Sequence, residues 1–174
     1  MKTVNNVNPN GLSASEFRQY KVVCAALWGY YHKADISYSN SVRGKGLLDQ
    51  CKPPPYVPNT FDCSSYVLYC FKVAGAPSPS NTGYDGQVST YTLWPVGKLV
   101  GTATYKEASL EPADLVFYAS GVPHGGNGEH VSIYISDGMV VSMGGENGPS
   151  VVSIEKEKAY TAGVYGIRRY PFGT

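Results

Sequence analysis

The periodicity of the apolar residues changes along the chain, and this change limits the folds open to it. Residues 13–32 and 63–74 carry apolar side chains at helical spacing, whereas segments between 114 and 170 show the alternation of strands. Helices that precede a block of strands indicate an α+β fold, with N-terminal helices packed on a central antiparallel sheet. We predict one domain over residues 1–174, of which 1–12 form a flexible N-terminal segment.

Both predicted helices have clear start signals. Ser13 and Glu16 form a capping-box pattern before the first helix, and Asp62 is well placed as the N-cap of the second. Cys63 therefore falls in the first turn of the second helix. The stripe of apolar residues predicts the buried face of the first helix: Phe17, Tyr20, Val23, Cys24, Leu27 and Trp28.

Five strands are predicted after the second helix. A connection rich in Gly, Ser and Pro over residues 75–104 precedes them, and Asp137-Gly138 is a strong signal for a hairpin turn. The predicted strands cover residues 114–119, 130–136, 139–144, 150–154 and 164–170.

Composition excludes several classes of function. The net charge of +1 gives no basic surface for nucleic acid, and no stretch is apolar enough to insert into a membrane. The four cysteines contain no Cys-x-x-Cys pair, so neither a structural metal nor another cofactor is expected. We expect a monomer with no nucleic-acid partner and no signal peptide at its polar, Asn-rich start.

Cys63 and His130 are the candidates for nucleophilic chemistry. A helix N-terminus favours the thiolate that a cysteine nucleophile requires. His130 begins a predicted strand, where a general base is held firmly, whereas His124 lies in a glycine-rich stretch and would be a poorer base. The alternative is structural: a buried cysteine at a helix start and a histidine bonded at a strand start.

A catalytic histidine needs a third group to orient it, and the hairpin limits the choice. If the turn adds an odd number of residues, as with a bulge at Gly138, Ser142 and Glu146 share the face of His130. A two-residue loop would select Val141 and Met143 instead, which cannot orient an imidazole. We predict Glu146 as the third catalytic residue, with Ser142 and Asn147 as weaker candidates.

These residues resemble a known family. Phe61-Asp62-Cys63-Ser64-Ser65 is similar to the Asp-Cys-Ser-Gly motif of NlpC-type, papain-like cysteine peptidases. Segments 112–117 and 130–134 resemble their Pro-Gly-Asp-Leu-Val and His-Val-Gly-Ile-Tyr strands, with Ala113 in place of a glycine. The branch of phage endolysins and actinobacterial wall hydrolases is closer still, by its likeness to segments 37–39, 140–149 and 167–170. Met143 stands where that branch has a histidine.

The resemblance implies a papain-like NlpC-type fold and a peptidoglycan hydrolase of the endolysin type. It would cleave an amide of the stem peptide through a Cys63 thiolate and an acyl-enzyme, with His130 as acid and base. Backbone N–H groups near Cys63 and Ser64 would hold the oxyanion, and Tyr38 would add a hydroxyl donor. It also implies a bacteriophage protein, made in the host cytoplasm and acting on the bacterial cell wall after release.

Two other functions fit parts of the same pattern. An N-acetylmuramoyl-L-alanine amidase of the CHAP type would use the same cysteine and histidine, followed by Glu146 and Asn147. A non-catalytic wall-binding module would retain the fold without the chemistry.

Overall fold

The computed structural model describes residues 11–145 and 147–173. Glu146 and most of the predicted flexible segment over 1–12 lie outside this part of the chain. The helices are α1 Ala14–Tyr31, α2 Lys45–Leu48, α3 Cys63–Val73, α4 Thr90–Leu93 and α5 Ile154–Ala159. The strands are β1 Ser37–Tyr38, β2 Thr60–Phe61, β3 Lys98–Thr102, β4 Leu115–Tyr118, β5 His130–Ser136, β6 Met139–Ser142, β7 Ser150–Ser153 and β8 Val164–Arg169.

The main sheet has six antiparallel strands in the order β3-β8-β4-β5-β6-β7, and a separate parallel pair joins β1 to β2. Helices α1 and α3 pack together and against β5. The predicted α+β architecture is confirmed, and all five predicted strands are present. The sixth, β3, was missed because it is a partly exposed edge strand without a buried alternating face. None of the helices described is long and apolar enough to cross a membrane.

Small residues bring α1 and α3 close together. Gly29 lies so near Tyr66 that a Cβ on it would be 2.0 Å from the tyrosine oxygen, and that hydroxyl donates to the carbonyl of Ala26 at 2.7 Å. The predicted buried face of α1 is therefore wrong for Tyr20 and Cys24, which are exposed. The face that packs inward is made of smaller residues: Val22, Val23, Ala25, Ala26 and Gly29.

A capping box fixes the start of α3. The Asp62 carboxylate accepts from the N–H of Ser65 at 2.8 Å, and the Ser65 hydroxyl accepts from the N–H of Asp62 at 2.8 Å. Phe61 packs its ring against those of Tyr66 and Tyr69, with centroids 5.4 and 4.9 Å away. The first turn of α3 is therefore held by both hydrogen bonds and aromatic packing.

The β5–β6 hairpin has the predicted register, with Ser142 on the face of His130, but the bulge that produces it is not at Gly138. Asp137 and Gly138 both have positive φ, 51° and 72°, and form a two-residue turn between Ser136 and Met139. The odd residue is instead Ile135, which is bulged out where the register shifts between Tyr134 and Ser136. Because of this bulge, Ser132 pairs with Ser142, and even-numbered residues of β6 share the face of His130.

Candidate active site

The start of α3 meets the start of β5, and this places Cys63 against His130. Both residues are buried, and the Cys63 thiol lies close enough to the imidazole to raise the pKa of His130. The ring of Tyr118 flanks the imidazole with centroids 5.5 Å apart. The predicted nucleophile and the predicted base are therefore in contact, and the base is held between a helix and a neighbouring strand.

A carboxylate and a hydroxyl meet the other side of the imidazole. His130 Nε2 lies 2.7 Å from Ser142 Oγ and 2.7 Å from Glu157 Oε1, and the Ser142 hydroxyl donates to the same Glu157 oxygen. The N–H at Nε2 is thus directed at two acceptors. Because Nε2 is engaged, the Nδ1 edge of the ring is left for the Cys63 thiol.

The charges of these neighbours determine how His130 titrates. Burial alone would lower its pKa, but the contacts with Cys63 and Glu157 outweigh burial and raise the pKa of His130 to about 9. Burial likewise raises the pKa of Glu157, but hydrogen bonds from His130 and Ser142 bring it below its ordinary value. At neutral pH the pair is therefore an imidazolium and a carboxylate.

Glu157 was not among the predicted site residues. It lies on α5, a helix of six residues whose N-cap, Ser153, accepts from the N–H of Lys156 at 3.1 Å. Buried Ile154 anchors this helix, and Glu157, one turn later, is on the same face. The available signal was Ser153 before the apolar Ile154, but alternating Glu and Lys residues are equally typical of a solvated helix face.

The predicted third residues have different positions. Glu146 lies outside the described residues. Ser142 contacts both His130 and Glu157, whereas Asn147 is exposed and lines the nearby cavity. In the part of the chain described, the carboxylate partner of His130 is thus Glu157.

Tyr38 and Ser64 both lie next to the nucleophile. Tyr38 pairs with Phe61 across the β1–β2 ladder, and Phe61 lies two residues before Cys63. The exposed fraction of Tyr38 is 43%. Burial, followed by the charges of Cys63 and Asp62, raises the pKa of Tyr38. The Ser64 side chain is buried and donates to Asp62 at 3.1 Å, so only its backbone N–H is available to a reacting group.

Two cavities flank the Cys63–His130 pair. The thiol-side cavity has a volume of about 280 Å³, and the imidazole-side cavity has about 690 Å³. Both include Tyr38, Gly128 and Glu129 in their walls, so they meet beside Cys63 and His130. The thiol-side cavity is further lined by Asn40, Arg43, Asp62, Cys63, Ser64 and the loop 125–127.

Glu129 holds the glycine-rich loop that forms one wall. Its carboxylate, almost fully buried, accepts from the N–H groups of His124 and Gly125 at 3.0 and 2.9 Å, and from the Thr90 hydroxyl. The His124 ring lies 2.8 Å from the same carboxylate. His124 is thus tied to Glu129, and His130 is the histidine beside Cys63.

Acidic side chains near Cys63 already have partners. Arg43 forms an ion pair with Asp62, and the other Asp62 oxygen accepts from α3. Within the described ranges, no group of three His, Cys, Asp or Glu residues is arranged to hold a metal ion.

Comparison with known proteins identifies relatives of this chain. The model of the NlpC/P60 family matches residues 52–169, which is more than half of the chain. The probable endopeptidase p60 of Listeria monocytogenes is 32% identical over 87 residues, which cover 49% of this chain and 14% of that protein.

Solved structures share the fold at lower identity. A P60 domain of a M. avium paratuberculosis antigen has a TM-score of 0.54 and 19% identity, with 90% of this chain and 95% of that one covered. NlpC1 of Trichomonas vaginalis has a TM-score of 0.55 and 16% identity, with 92% and 45% covered. The chain thus spans only 14% of the Listeria protein and less than half of the Trichomonas chain. With the family model matched across both Cys63 and His130, the chain belongs to the NlpC/P60 family.

Proposed function

We propose that this protein is a peptidoglycan hydrolase that cleaves an amide bond of the stem peptide through the thiolate of Cys63. The observation that supports this most directly is the contact series from Cys63 through His130 to Ser142 and Glu157, at the junction of two cavities. The name of the Listeria relative, a probable endopeptidase, supports the same reaction class.

In the first step, the Cys63 thiolate, paired with the His130 imidazolium, attacks the amide carbonyl. A bond forms between Sγ and the carbonyl carbon, and the π electrons move to the oxygen. The first N–H groups of a helix lack partners within it, so those at the start of α3 are suited to hold this oxyanion. In this proposal Tyr38, which lines both cavities, donates a further hydrogen bond to the oxyanion.

In the second step, the tetrahedral intermediate collapses and the C–N bond breaks. Nδ1–H of His130 protonates the departing amine, which leaves a thioester on Cys63. Water then adds to the thioester while the neutral His130 takes a proton from it, and the C–S bond breaks. The carboxylic acid product leaves, and the Cys63 thiolate and His130 imidazolium are restored.

Glu157 and Ser142 act on His130 rather than on the substrate. Their acceptors fix the proton at Nε2, which turns Nδ1 towards the thiol. The Glu157 charge also stabilises the imidazolium that the second step consumes. Three structures with the same fold are of the resuscitation promoting factor interacting protein RipA, at 17–18% identity. They carry mutations at a cysteine, a histidine and a glutamate, which are the residue types of Cys63, His130 and Glu157.

The biological setting is part of the proposal. Likeness to endolysins in segments 37–39, 140–149 and 167–170 supports a phage protein that is made in the host cytoplasm and reaches the wall after release. The whole contact series comes from one chain, which supports action as a monomer.

The test is digestion of purified cell walls by the wild type, Cys63→Ala and a control, Cys24→Ala, whose cysteine is exposed and outside both cavities. Mass spectrometry of the released fragments identifies the new termini. We expect the wild type and the control to create amine and carboxyl termini within the stem peptide, and Cys63→Ala to create none.

Two results would overturn the proposal. Cleavage between muramic acid and L-alanine would establish the amidase alternative. Equal lysis by Cys63→Ala and the wild type would leave only a non-catalytic role for Cys63.

A further inference from the structure

A groove beside α1 has no role in the chemistry of Cys63. It has a volume of about 490 Å³, which lies within the usual range for small-molecule sites. One wall is α1, another is the loop at Pro53 and Pro54, and Val73 of α3 completes the lining. None of its lining residues belongs to the cavities that flank Cys63 and His130. The groove is therefore a separate candidate binding site.

The groove follows α1 along much of its length. Its lining residues on that helix run from Lys21 to Tyr31, and a rise of about 1.5 Å per residue makes this stretch about 15 Å long. Lys21 and Tyr31 are exposed, whereas Leu27 and Trp28 between them are half-buried. The groove is therefore elongated, with a cation at one end and a phenol at the other.

The walls between these ends offer few polar groups to a ligand. Leu27 and Val73 are apolar, and the Trp28 indole N–H already donates to the carbonyl of Tyr56 at 3.1 Å. The loop 53–54 consists of prolines, which have no N–H. A peptide backbone in this groove would leave its own N–H and C=O groups without partners, which is unfavourable. A hydrocarbon chain has no such groups and suits these walls.

The charged residues around the groove all have the same sign. The segments 17–33, 50–61 and 63–84 contain all of its lining residues and include no Asp or Glu. The whole chain, by contrast, is nearly balanced, with 14 basic and 13 acidic residues. The basic residues in the three segments are Arg18, Lys21, Lys33, Lys52 and Lys72. This distribution favours an anionic ligand.

Two of these cations lie at the groove without an acidic partner. Lys21 lines it, and its ammonium lies 5.5 Å from the centre of the Phe17 ring. Lys52 precedes Pro53, and its ammonium lies 4.8 Å from the centre of the Tyr56 ring. Among the described residues, neither lysine forms an ion pair. A carboxylate beside Lys21 would supply the missing negative charge.

We propose that this groove binds a single-chain anionic amphiphile of the fatty-acid type, with its carboxylate at Lys21 and its hydrocarbon chain along Leu27, Trp28 and Val73 towards Tyr31. The apolar walls favour the chain, and the lysines without acidic partners favour the charge. The length of about 15 Å favours a chain of medium length. The occupant is a free amphiphile, because the site is concave whereas a bilayer is flat. This site does not depend on the proposed function.

Three small molecules test the two features of the ligand. Sodium decanoate is the probe, 1-decanol has the same chain without the charge, and hexanoate has the charge on a shorter chain. Binding is followed by tryptophan fluorescence, because Trp28 lies in the wall, and by the rise in melting temperature that a ligand of the native state produces. We expect saturable binding of decanoate, with a Kd about threefold or more higher for 1-decanol and about tenfold or more higher for hexanoate.

Two substitutions of exposed residues test the position of the ligand. Lys21→Gln removes the charge, and Tyr31→Ala removes the ring at the other end. Their controls are Lys98→Gln, an exposed lysine of β3, and Tyr20→Ala, an exposed tyrosine of α1; neither lines the groove. We expect the Kd for decanoate to rise about threefold or more in Lys21→Gln and about twofold in Tyr31→Ala. Both controls should keep the wild-type Kd.

Two further measurements separate the charge from the chain and identify the reporter. The Kd for 1-decanol should be the same in Lys21→Gln and the wild type, because this ligand has no charge to lose. Trp28→Phe should lose the fluorescence response to decanoate and keep the rise in melting temperature, since the apolar wall remains.

Several results would overturn the proposal. They are absence of saturable decanoate binding by the wild type, equal Kd values for decanoate and 1-decanol, and an unchanged Kd for decanoate in Lys21→Gln. A fluorescence response that persists in Trp28→Phe would locate the ligand elsewhere and count equally against it. Vesicles of phosphatidylglycerol provide the last comparison: binding to them without binding of decanoate would assign this face to a membrane surface instead.

Discussion

Glu157 Oε1 and His130 Nε2 lie 2.7 Å apart, although one belongs to a short helix after β7 and the other begins β5. The carboxylate of this pair comes from an element that is distant in sequence from the hairpin carrying Ser142. Its effects on His130 can therefore be measured by a substitution that leaves the hairpin intact.

Glu157→Gln should move the alkaline limit of activity to lower pH. Glu157 and Cys63 together raise the pKa of His130 to about 9, so the imidazolium needed by the leaving amine is lost as pH rises through that value. Without the carboxylate charge the pKa falls, and we expect kcat/KM to decrease at least about tenfold at neutral pH as well. The measurement is the pH profile of kcat/KM.

Glu155→Gln is the matched control, since Glu155 is exposed and paired with Lys158 on the same helix. It should keep the wild-type profile. An unchanged alkaline limit in Glu157→Gln would show that Glu157 does not act on the imidazole.

Ser142→Ala should lower kcat less than Glu157→Gln does. The direct contact between His130 and Glu157 survives the loss of the hydroxyl, so we expect kcat to fall about 2- to 10-fold, as for one hydrogen bond. Because the three groups share one network, the double variant should lose less than the product of the two single effects. Strictly multiplicative losses in kcat would count against a shared network.

Gly144→Ala should reduce turnover without loss of fold. A Cβ at position 144 would lie 3.1 Å from Cε1 of His130, which is close enough to displace the ring slightly. Displacement of a catalytic group by a fraction of an ångström can lower kcat about tenfold. Gly145→Ala is the control, because its Cβ meets open space among the described residues; equal kcat in the two variants would contradict the steric explanation.

Glu129→Gln should loosen the loop 124–128. A glutamine keeps one acceptor oxygen but turns an amide N–H₂ towards donors that the carboxylate accepts from. We expect faster amide hydrogen exchange at Gly125 and a KM raised about threefold or more, because one wall of the thiol-side cavity becomes mobile.

His124→Ala is a milder comparison for the same loop. It removes the ring contact with Glu129 and keeps the backbone donors of His124 and Gly125. Its hydrogen exchange should lie between those of the wild type and Glu129→Gln. Exchange at Gly125 that is unchanged in Glu129→Gln would show that the carboxylate does not restrain the loop.

The parts of the site that were predicted have signals close to them in sequence. Asp62 and Ser65 cap α3 and so place Cys63 at its start, and Asp137-Gly138 makes the turn that returns β6 beside His130. The resemblance placed Tyr38 near the nucleophile, and the β1–β2 ladder puts it there.

The parts that were missed depend on contacts between distant segments. Glu155 and Glu157 are chemically identical and lie on the same short helix, α5, which buried Ile154 anchors. Only the direction in which the side chain leaves the helix distinguishes them. Tyr20 and Cys24 matched helical spacing as well as the buried residues do, but close approach to Tyr66 favours the small residues of α1. Periodicity alone does not reveal which of two apolar faces a neighbour will cover.

The bulge at Ile135 has a consequence for how this chain can change. Side chains in β6 can be exchanged one at a time, but the number of residues between Ser132 and Ser142 cannot change by one without turning Ser142 to the opposite face. Single-residue insertions and deletions in this hairpin would therefore be selected against for as long as the His130 imidazole needs the Ser142 hydroxyl. Length variation should accumulate in other loops instead, and hairpin length becomes a marker for relatives that share this arrangement of His130 and Ser142.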